Sequence, residues 1–219
     1  MKLLDDFSPY VIPYVPGCTT AMFEQALRST AYDFCNQTDI VQEVVATGVA
    51  EGEGEYYIEV PNEMLLARVL GVFYGQNQLK LEALAHVNVP FALRGSVDDQ
   101  DPPTNTPTVA YQREPGTETI WLYPLPDRTD ETLLTVRASF APSRDATQLA
   151  DVLFNNWVEV IAYGAIAELM AMPAQPFSSP AAPQYRARYW SGVASARAEA
   201  RKGRTLSSLR VQPRNFSMR

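Results

Sequence analysis

The sequence is poor in the side chains that catalysis and metal binding use most. Its 219 residues include one histidine and two cysteines. His86 lies in the apolar segment LEALAHVNVP, where a structural histidine is more common than a catalytic base. No zinc-ligand spacing of His or Cys occurs, and neither the glycine-rich nucleotide motifs nor the G-x-S-x-G nucleophile motif is found. The sequence therefore predicts a protein that is not an enzyme and that uses no cofactor or metal.

Long apolar runs and export signals are also missing. The first residues, MKLLDDFSPYVIPYVPG, do not have the pattern of a signal peptide or of a transmembrane helix. No apolar run approaches the ~18 residues that span a bilayer. Without an export signal, Cys18 and Cys35 are expected to stay reduced, with Cys35 as a small buried apolar residue. We expect synthesis in the cytoplasm and no association with a membrane.

Two acidic segments lack the pattern of an ion-binding site. Asp98, Asp99 and Asp101 lie in the polar segment RGSVDDQDPPTNTP, residues 94–107. They have neither the spacing nor the glycine and closing glutamate of a calcium loop, so a solvated loop is predicted. The glycine-rich segment AEGEGEY, residues 50–56, carries three glutamates that would repel a phosphate. It predicts an acidic turn.

Positive charge is concentrated toward the C-terminal end. Residues 184–219 hold nine of the eighteen Lys and Arg residues and one acid, Glu199, whereas residues 1–183 hold the other nine against twenty-four acids. The formal net charge of −7 therefore combines an acidic body with a basic terminal segment. Such asymmetry is typical of an interaction arm, because like charges in one segment repel one another until a partner neutralises them.

Three segments have the spacing of helices. Apolar residues recur at three- and four-residue intervals from Met22 to about Thr38, with Thr19 or Thr20 as the cap. Helical pattern returns at Ser143, where Asp145 and Asp151 are candidate caps for an apolar helix over 152–172. A third helix is predicted over 182–202, with Gly203 as the residue that ends it. Residues 7–17, which contain three prolines, are predicted to be extended.

Between the first two helices the apolar period changes to two, which predicts strands. A hairpin loop is predicted at residues 75–77. The predicted strands are 40–50, 55–60, 66–75, 78–81, 108–113, 117–125 and 131–142.

The order of these elements predicts an α+β fold. The helices at the two ends of the chain, residues 1–39 and 143–203, would form a small α-helical bundle. The inserted residues 40–142 would form an antiparallel β region. Residues 204–219 contain Pro213 and have no helical stripe, which predicts an extended C-terminal arm.

The arm has two interpretations. Its Arg residues alternate with Leu206, Leu209, Val211 and Phe216, a pattern suited to insertion into a groove of another protein. The same positive charge would also suit nucleic-acid binding, with the arm as the contact. In the helix before the arm, Tyr189 and Trp190 would complete the core and the arginines would form a solvated face.

Aromatic residues in the β region suggest a further alternative. Those at strand spacing could form a module that binds a receptor or a carbohydrate, although aromatic residues in strands more often belong to the core. They are Tyr56, Tyr57, Tyr111, Trp121 and Tyr123.

Three segments, in this order, resemble the head–tail adaptor (connector) proteins of tailed bacteriophages. The first is the entry VIPYVPGC with the helix MFEQALRSTAYDFCNQT. The second is the run ASFAPSRDATQLADVLFNNWVEVIAYGAIAELMAMPAQPFSSP. The third is the closing segment YRARYWSGVASARAEARKGRTLSSLRV. The resemblance covers most of the chain, and no family motif is recognised between residues 75 and 120.

The resemblance implies a structural protein of the virion neck. Identical subunits, usually twelve, would form a ring beneath the portal protein, bind the next tail or neck component and let the genome pass through a channel without specific DNA binding. The ring would be assembled in the host cytoplasm. By position, the portal-docking residues would be Arg201, Lys202, Arg204, Leu206, Leu209, Arg210, Val211 and Phe216.

Overall fold

Residues 4–14 form short helical turns, where the sequence predicts an extended segment over 7–17. The computed structural model describes residues 1–83, 104–114, 116–172 and 180–204. Strand β1 (Lys2–Leu3) leads into a 3-10 turn, helix α1 (Ser8–Val11) and a second 3-10 turn over Ile12–Tyr14. The prediction for residues 7–17 is wrong because Pro9 and Pro13 occupy first-turn positions, where the fixed φ of proline suits a helix and its missing N–H costs nothing.

Helix α2 (Thr20–Thr38) follows the sequence pattern closely. The Thr19 hydroxyl accepts a hydrogen bond from the Met22 N–H at 3.3 Å, which confirms one of the two predicted caps. Every apolar residue of the predicted stripe is buried, and Cys35 is buried with them. The helix ends at Asp39, whose φ of 52° is left-handed, a conformation that Asp adopts more readily than most residues.

The strands lie where the change of period predicts them, and they form two four-stranded sheets. In one sheet the order is β2-β9-β4-β5, and in the other it is β3-β8-β7-β6. Gly75, with φ of 60°, and Gln76 connect β4 to β5, as the predicted hairpin requires. The strands are β2 (Gln42–Val49), β3 (Glu55–Tyr57), β4 (Met64–Tyr74), β5 (Asn77–Gln78), β6 (Lys80–Ala83), β7 (Val109–Gln112), β8 (Thr119–Tyr123) and β9 (Asp130–Pro142).

One strand pair departs from the antiparallel prediction. Strands β6 and β7 run parallel, with Lys80 opposite Val109. The other pairs of both sheets are antiparallel. Strand β9 is the centre of its sheet, since β2 and β4 pair with its two edges.

Helix α3 (Asp151–Met170) begins later than Ser143. The intervening chain forms strand β10 (Gln148–Leu149), which pairs with β1. Neither predicted cap is used: Ala150 precedes the helix, and Asp145 instead accepts a hydrogen bond from the Ser143 hydroxyl at 2.7 Å. Short strand pairing with the N-terminal segment thus accounts for part of the chain between Ser143 and the helix, and the helix itself begins within one residue of the predicted 152.

The helices and sheets share one core. Helix α4 (Ala182–Arg204) packs against α3 and α2, and α2 also packs on β9. The ring centroid of Phe34 on α2 lies 5.8 Å from that of Trp157 on α3 and 6.5 Å from that of Tyr189 on α4. The fold is α+β, as predicted. Within the described part of the chain, none of the helices has the length and hydropathy needed to cross a membrane.

Candidate functional site

Helix α4 carries basic residues of the predicted site, and its buried residues form one stripe. Its buried residues are Tyr189, Val193, Ala196 and Ala200, spaced by four, three and four positions. That spacing places them on one face of a helix. The remaining face is exposed and holds the basic residues Arg186, Arg188, Arg197, Arg201 and Lys202.

Tyr189 anchors this helix to α2 and α3. Its hydroxyl donates a hydrogen bond to Asp33 Oδ2 at 2.7 Å, and only 6% of the residue is exposed. Burial, followed by the hydrogen bond to the Asp33 carboxylate, raises the pKa of the Tyr189 phenol. The prediction that Tyr189 completes the core is confirmed. The same prediction for Trp190 is wrong. This residue lies outside the buried stripe of the helix, and 47% of it is exposed.

Arg197 fastens the far end of α4 to the end of α2. Its Nε donates a hydrogen bond to the Gln37 carbonyl at 2.6 Å, and its Nη2 contacts the Gln37 side-chain oxygen. The last carbonyls of a helix lack partners within the helix and carry partial negative charge, so a guanidinium there is stabilising. Arg197 therefore has a structural role as well as an exposed position.

Asp39 organises the strand side of the same junction. Its carboxylate accepts a hydrogen bond from the Ser139 hydroxyl at 3.0 Å and contacts Arg68 Nη1 at 3.4 Å. Ser139 is fully buried on β9, whereas the Arg68 side chain on β4 is 63% exposed. The buried serine orients the carboxylate, and the carboxylate contacts the guanidinium end of the exposed arginine.

These side chains surround a small polar cleft, which we call the basic cleft. Its volume is about 230 Å³, and its charged lining residues are Asp39, Arg68, Arg197 and Arg201. The rest of the lining is the last turn of α2, residues 36–38. Three guanidinium groups against one carboxylate give this cleft a net positive charge. Planar guanidinium groups are suited to bind carboxylate or phosphate oxygens.

The structure describes some of the predicted docking residues and not others. Arg201 and Lys202 are exposed in the last turns of α4. Gly203 does not end the helix, and Arg204, predicted as the first residue of an extended arm, is its last helical residue. The predicted stop fails because helix geometry continues through a glycine unless a left-handed turn follows. Leu206, Leu209, Arg210, Val211 and Phe216 lie outside the described residues.

Sequence reasoning missed Arg68 as part of this site. The only available signal is an arginine within the apolar strand segment LARVLGVFYG. A lone strand arginine normally indicates a solvent-facing position. Its proximity to α4 arises because β4 pairs with β9, which places Arg68 opposite Ser139 and therefore beside the end of α2.

A second, larger cleft lies beside α2 and has paired charges. It measures about 600 Å³ and is lined by residues that include Glu24, Arg28, Arg144 and Glu168. Arg28 contacts Glu24 at 2.6 Å and donates to the Ala146 carbonyl at 2.8 Å. Burial raises the pKa of Glu168, which also accepts hydrogen bonds from Ser29 and Thr30. These contacts join α2 to its neighbours, so a structural role accounts for them.

The aromatic residues of the β region are divided between the two faces of one sheet. Tyr56 belongs to the main core, whereas Tyr57 is 58% exposed. Tyr111, Trp121 and Tyr123 make a separate small cluster on the other face of their sheet, with the Tyr111 and Trp121 rings stacked at 6.4 Å. The alternative of a glycan- or receptor-binding module stays a prediction, with Tyr57, Tyr111, Trp121 and Tyr123 on one face of the sheet.

The remaining candidates from the sequence have no counterpart in this site. His86 and the aspartates 98, 99 and 101 lie outside the described residues. In the part of the chain that is described, no cluster of His, Cys, Asp or Glu side chains has the arrangement of a metal site. No protein-family model matches this sequence, and no curated protein is significantly similar to it.

Proposed function

We propose that this chain is a structural protein of a virus neck, where copies of it form a ring between the portal protein and the tail. The ring would bind the next tail or neck component on its other side and let the genome pass. The proposal is supported by the resemblance of three ordered segments to head–tail adaptors. A ring of twelve copies in the virion neck is what that resemblance implies.

The observation that carries the proposal is the separation of charge and burial along α4. Four residues hold the helix to the body, and the other face presents basic side chains up to its last turns. The basic segment beyond residue 204 continues from that end of the helix. A basic helix packed on an acidic body is suited to carry an arm to an acidic surface, since complementary charge speeds encounter and fixes orientation.

Binding to the purified portal protein tests the proposal. We expect deletion of residues 205–219 to abolish binding, and Lys202→Glu to weaken it by about tenfold at low salt, because a rim charge acts mainly on encounter. Arg144→Glu, at an exposed arginine outside α4, is the matched control and should bind normally. Virions made with the deleted protein should lack tails or leak DNA.

Two outcomes would contradict this function. Normal portal binding by the deletion variant would remove the role of the arm. Alternatively, tight binding to DNA of any sequence, with affinity falling linearly with salt on logarithmic axes, would support the nucleic-acid-binding alternative instead.

A further inference from the structure

The two ends of strand β2 have opposite charge. The basic cleft lies immediately before β2, at the end of α2. Immediately after β2 comes the acidic turn, which we define as residues 50–55, with Glu51, Glu53 and Glu55 all exposed. The chain thus joins a positive site and a negative site by a single strand.

The acidic turn has a fixed structure and further acids beside it. The Gly52 N–H donates to the Pro126 carbonyl at 3.0 Å, and the Glu51 N–H donates to the Thr129 hydroxyl at 3.0 Å. The Tyr56 hydroxyl lies 2.7 Å from the Glu53 carbonyl oxygen, and burial raises the pKa of this phenol to about 12, so it stays a donor. The same contacts bring the exposed 127–130 turn, with two aspartates and one arginine, next to the glutamates.

The two sites cannot neutralise each other within one chain. An eight-residue strand such as β2 is about 25 Å long at roughly 3.3 Å per residue. That separation is more than twice the ~8–10 Å over which charges in physiological salt attract one another. The net charge of each site is therefore not neutralised by the other site of the same chain.

We propose that the acidic turn of one copy docks on the basic cleft of the next copy. Because the two sites lie at opposite ends of one strand, this contact is heterologous: it repeats head to tail, and it forms a ring when the rotation closes. This inference rests on the proposed function in that it names the surfaces that would build the neck ring.

A carboxylate fits the basic cleft better than a phosphate does. The Asp39 carboxylate and the last carbonyls of α2 border the same cleft and would repel a dianion or a nucleic-acid backbone more than a single carboxylate. Arg197 is already oriented by Gln37 and still has N–H donors that these contacts do not use. An oriented guanidinium loses little freedom on binding, which favours a specific contact.

A charge exchange within one chain tests the contact. We expect Arg201→Glu and Glu53→Lys each to weaken self-association of the full chain by about tenfold in analytical ultracentrifugation. The chain carrying both changes should recover most of the loss, since every interface then contains the exchanged pair. Arg144→Glu is the control and should associate normally. Equal weakening in the double variant and the single variants would overturn the proposal.

Cross-linking provides a second measurement, which reports the proximity of the two sites. In a Cys18→Ser background, chains with Glu53→Cys are mixed with chains carrying Arg201→Cys and oxidised at high concentration. The expected product is a disulfide-linked pair of the two chains, formed well above the yield of a Glu53→Cys and Arg144→Cys mixture. Yields equal to that control, or a chain that remains monomeric in both measurements, would overturn the proposal.

These results are separate from those that test portal binding. If self-association depends on the exchanged charges and the portal protein does not bind, the neck function fails and the contact between copies stands. If portal binding is normal and the exchange has no effect, the neck function stands and this contact fails.

Discussion

Helices α3 and α4 are neighbours of similar length with opposite roles. Ten of the twenty residues of α3 are buried, and they point in several directions around the helix. The described residues of α4 have one buried stripe of four. A helix buried on several sides is committed to the core, whereas a helix held by one stripe leaves most of its surface for partners. Burial therefore assigns α3 to the stability of the core and leaves the exposed face of α4 for the contacts proposed above.

The largest expected effect comes from α3. Ile161→Ala removes a fully buried side chain and should lower the free energy of unfolding by about 2–5 kcal/mol through lost burial and the cavity left behind. Ser195→Ala on the exposed face of α4 is the counterpart and should stay within about 0.5 kcal/mol. Urea denaturation measures both. Similar losses at the two positions would contradict the division of roles.

An intermediate effect is expected where the two helices touch. A Cβ atom at Gly192 would lie 3.0 Å from the Val160 Cβ and nearer still to its methyl groups. Gly192→Ala should therefore cost about 1–3 kcal/mol by overpacking, although alanine favours an isolated helix. Adding Val160→Ala opens the space and should recover at least half of the loss. Thermal unfolding of the two single variants and the double variant measures this coupling, and simple additivity would contradict it.

The smallest effect concerns Cys35, a buried residue of α2, which packs against both helices. Complete burial raises the pKa of the Cys35 thiol above its ordinary value of 9.0, so the native chain keeps a proton that the unfolded chain loses. Stability should then fall as pH rises above about 9, by about 1.4 kcal/mol per pH unit for this group. Urea denaturation at pH 9 and pH 10 should show a shallower fall for Cys35→Ala than for the original chain.

Cys18→Ala is the control for the pH experiment. The Cys18 thiol is partly exposed, so burial raises its pKa less than it raises the pKa of Cys35. It should leave most of the decline in place. An unchanged slope in Cys35→Ala would show that water reaches the space between the helices.

Local pattern was enough where each segment buries one face with a regular period. The stripe of α2 and the alternation of the strands follow from helix and strand geometry, so the elements and the α+β class could be predicted. Prediction failed where one signal has two meanings. Proline is excluded from the interior of a helix but favoured in its first turn, so the prolines of residues 7–17 fit either an extended or a helical segment. The burial of Phe7 and Val11 decides for the helical turns.

The candidate site shows the same limit. The positive charge of residues 184–219 was visible in the sequence, and two predicted residues, Arg201 and Lys202, are exposed as that prediction requires. Arg68 could not be found in advance, because its place beside Arg201 depends on pairings across β4 and β9 and on the packing of α2 against α4. Contacts between residues far apart in the chain leave no local pattern.

The periodicity of the elements, the fold class and the split between an acidic body and a basic terminal segment could be read from the sequence, because these depend on residue type and spacing alone. Which basic residues meet at the end of α2 depends on the tertiary structure. The physical reason is that charge is a property of side chains, whereas a binding site is a property of distances, which long-range strand pairing and helix packing set.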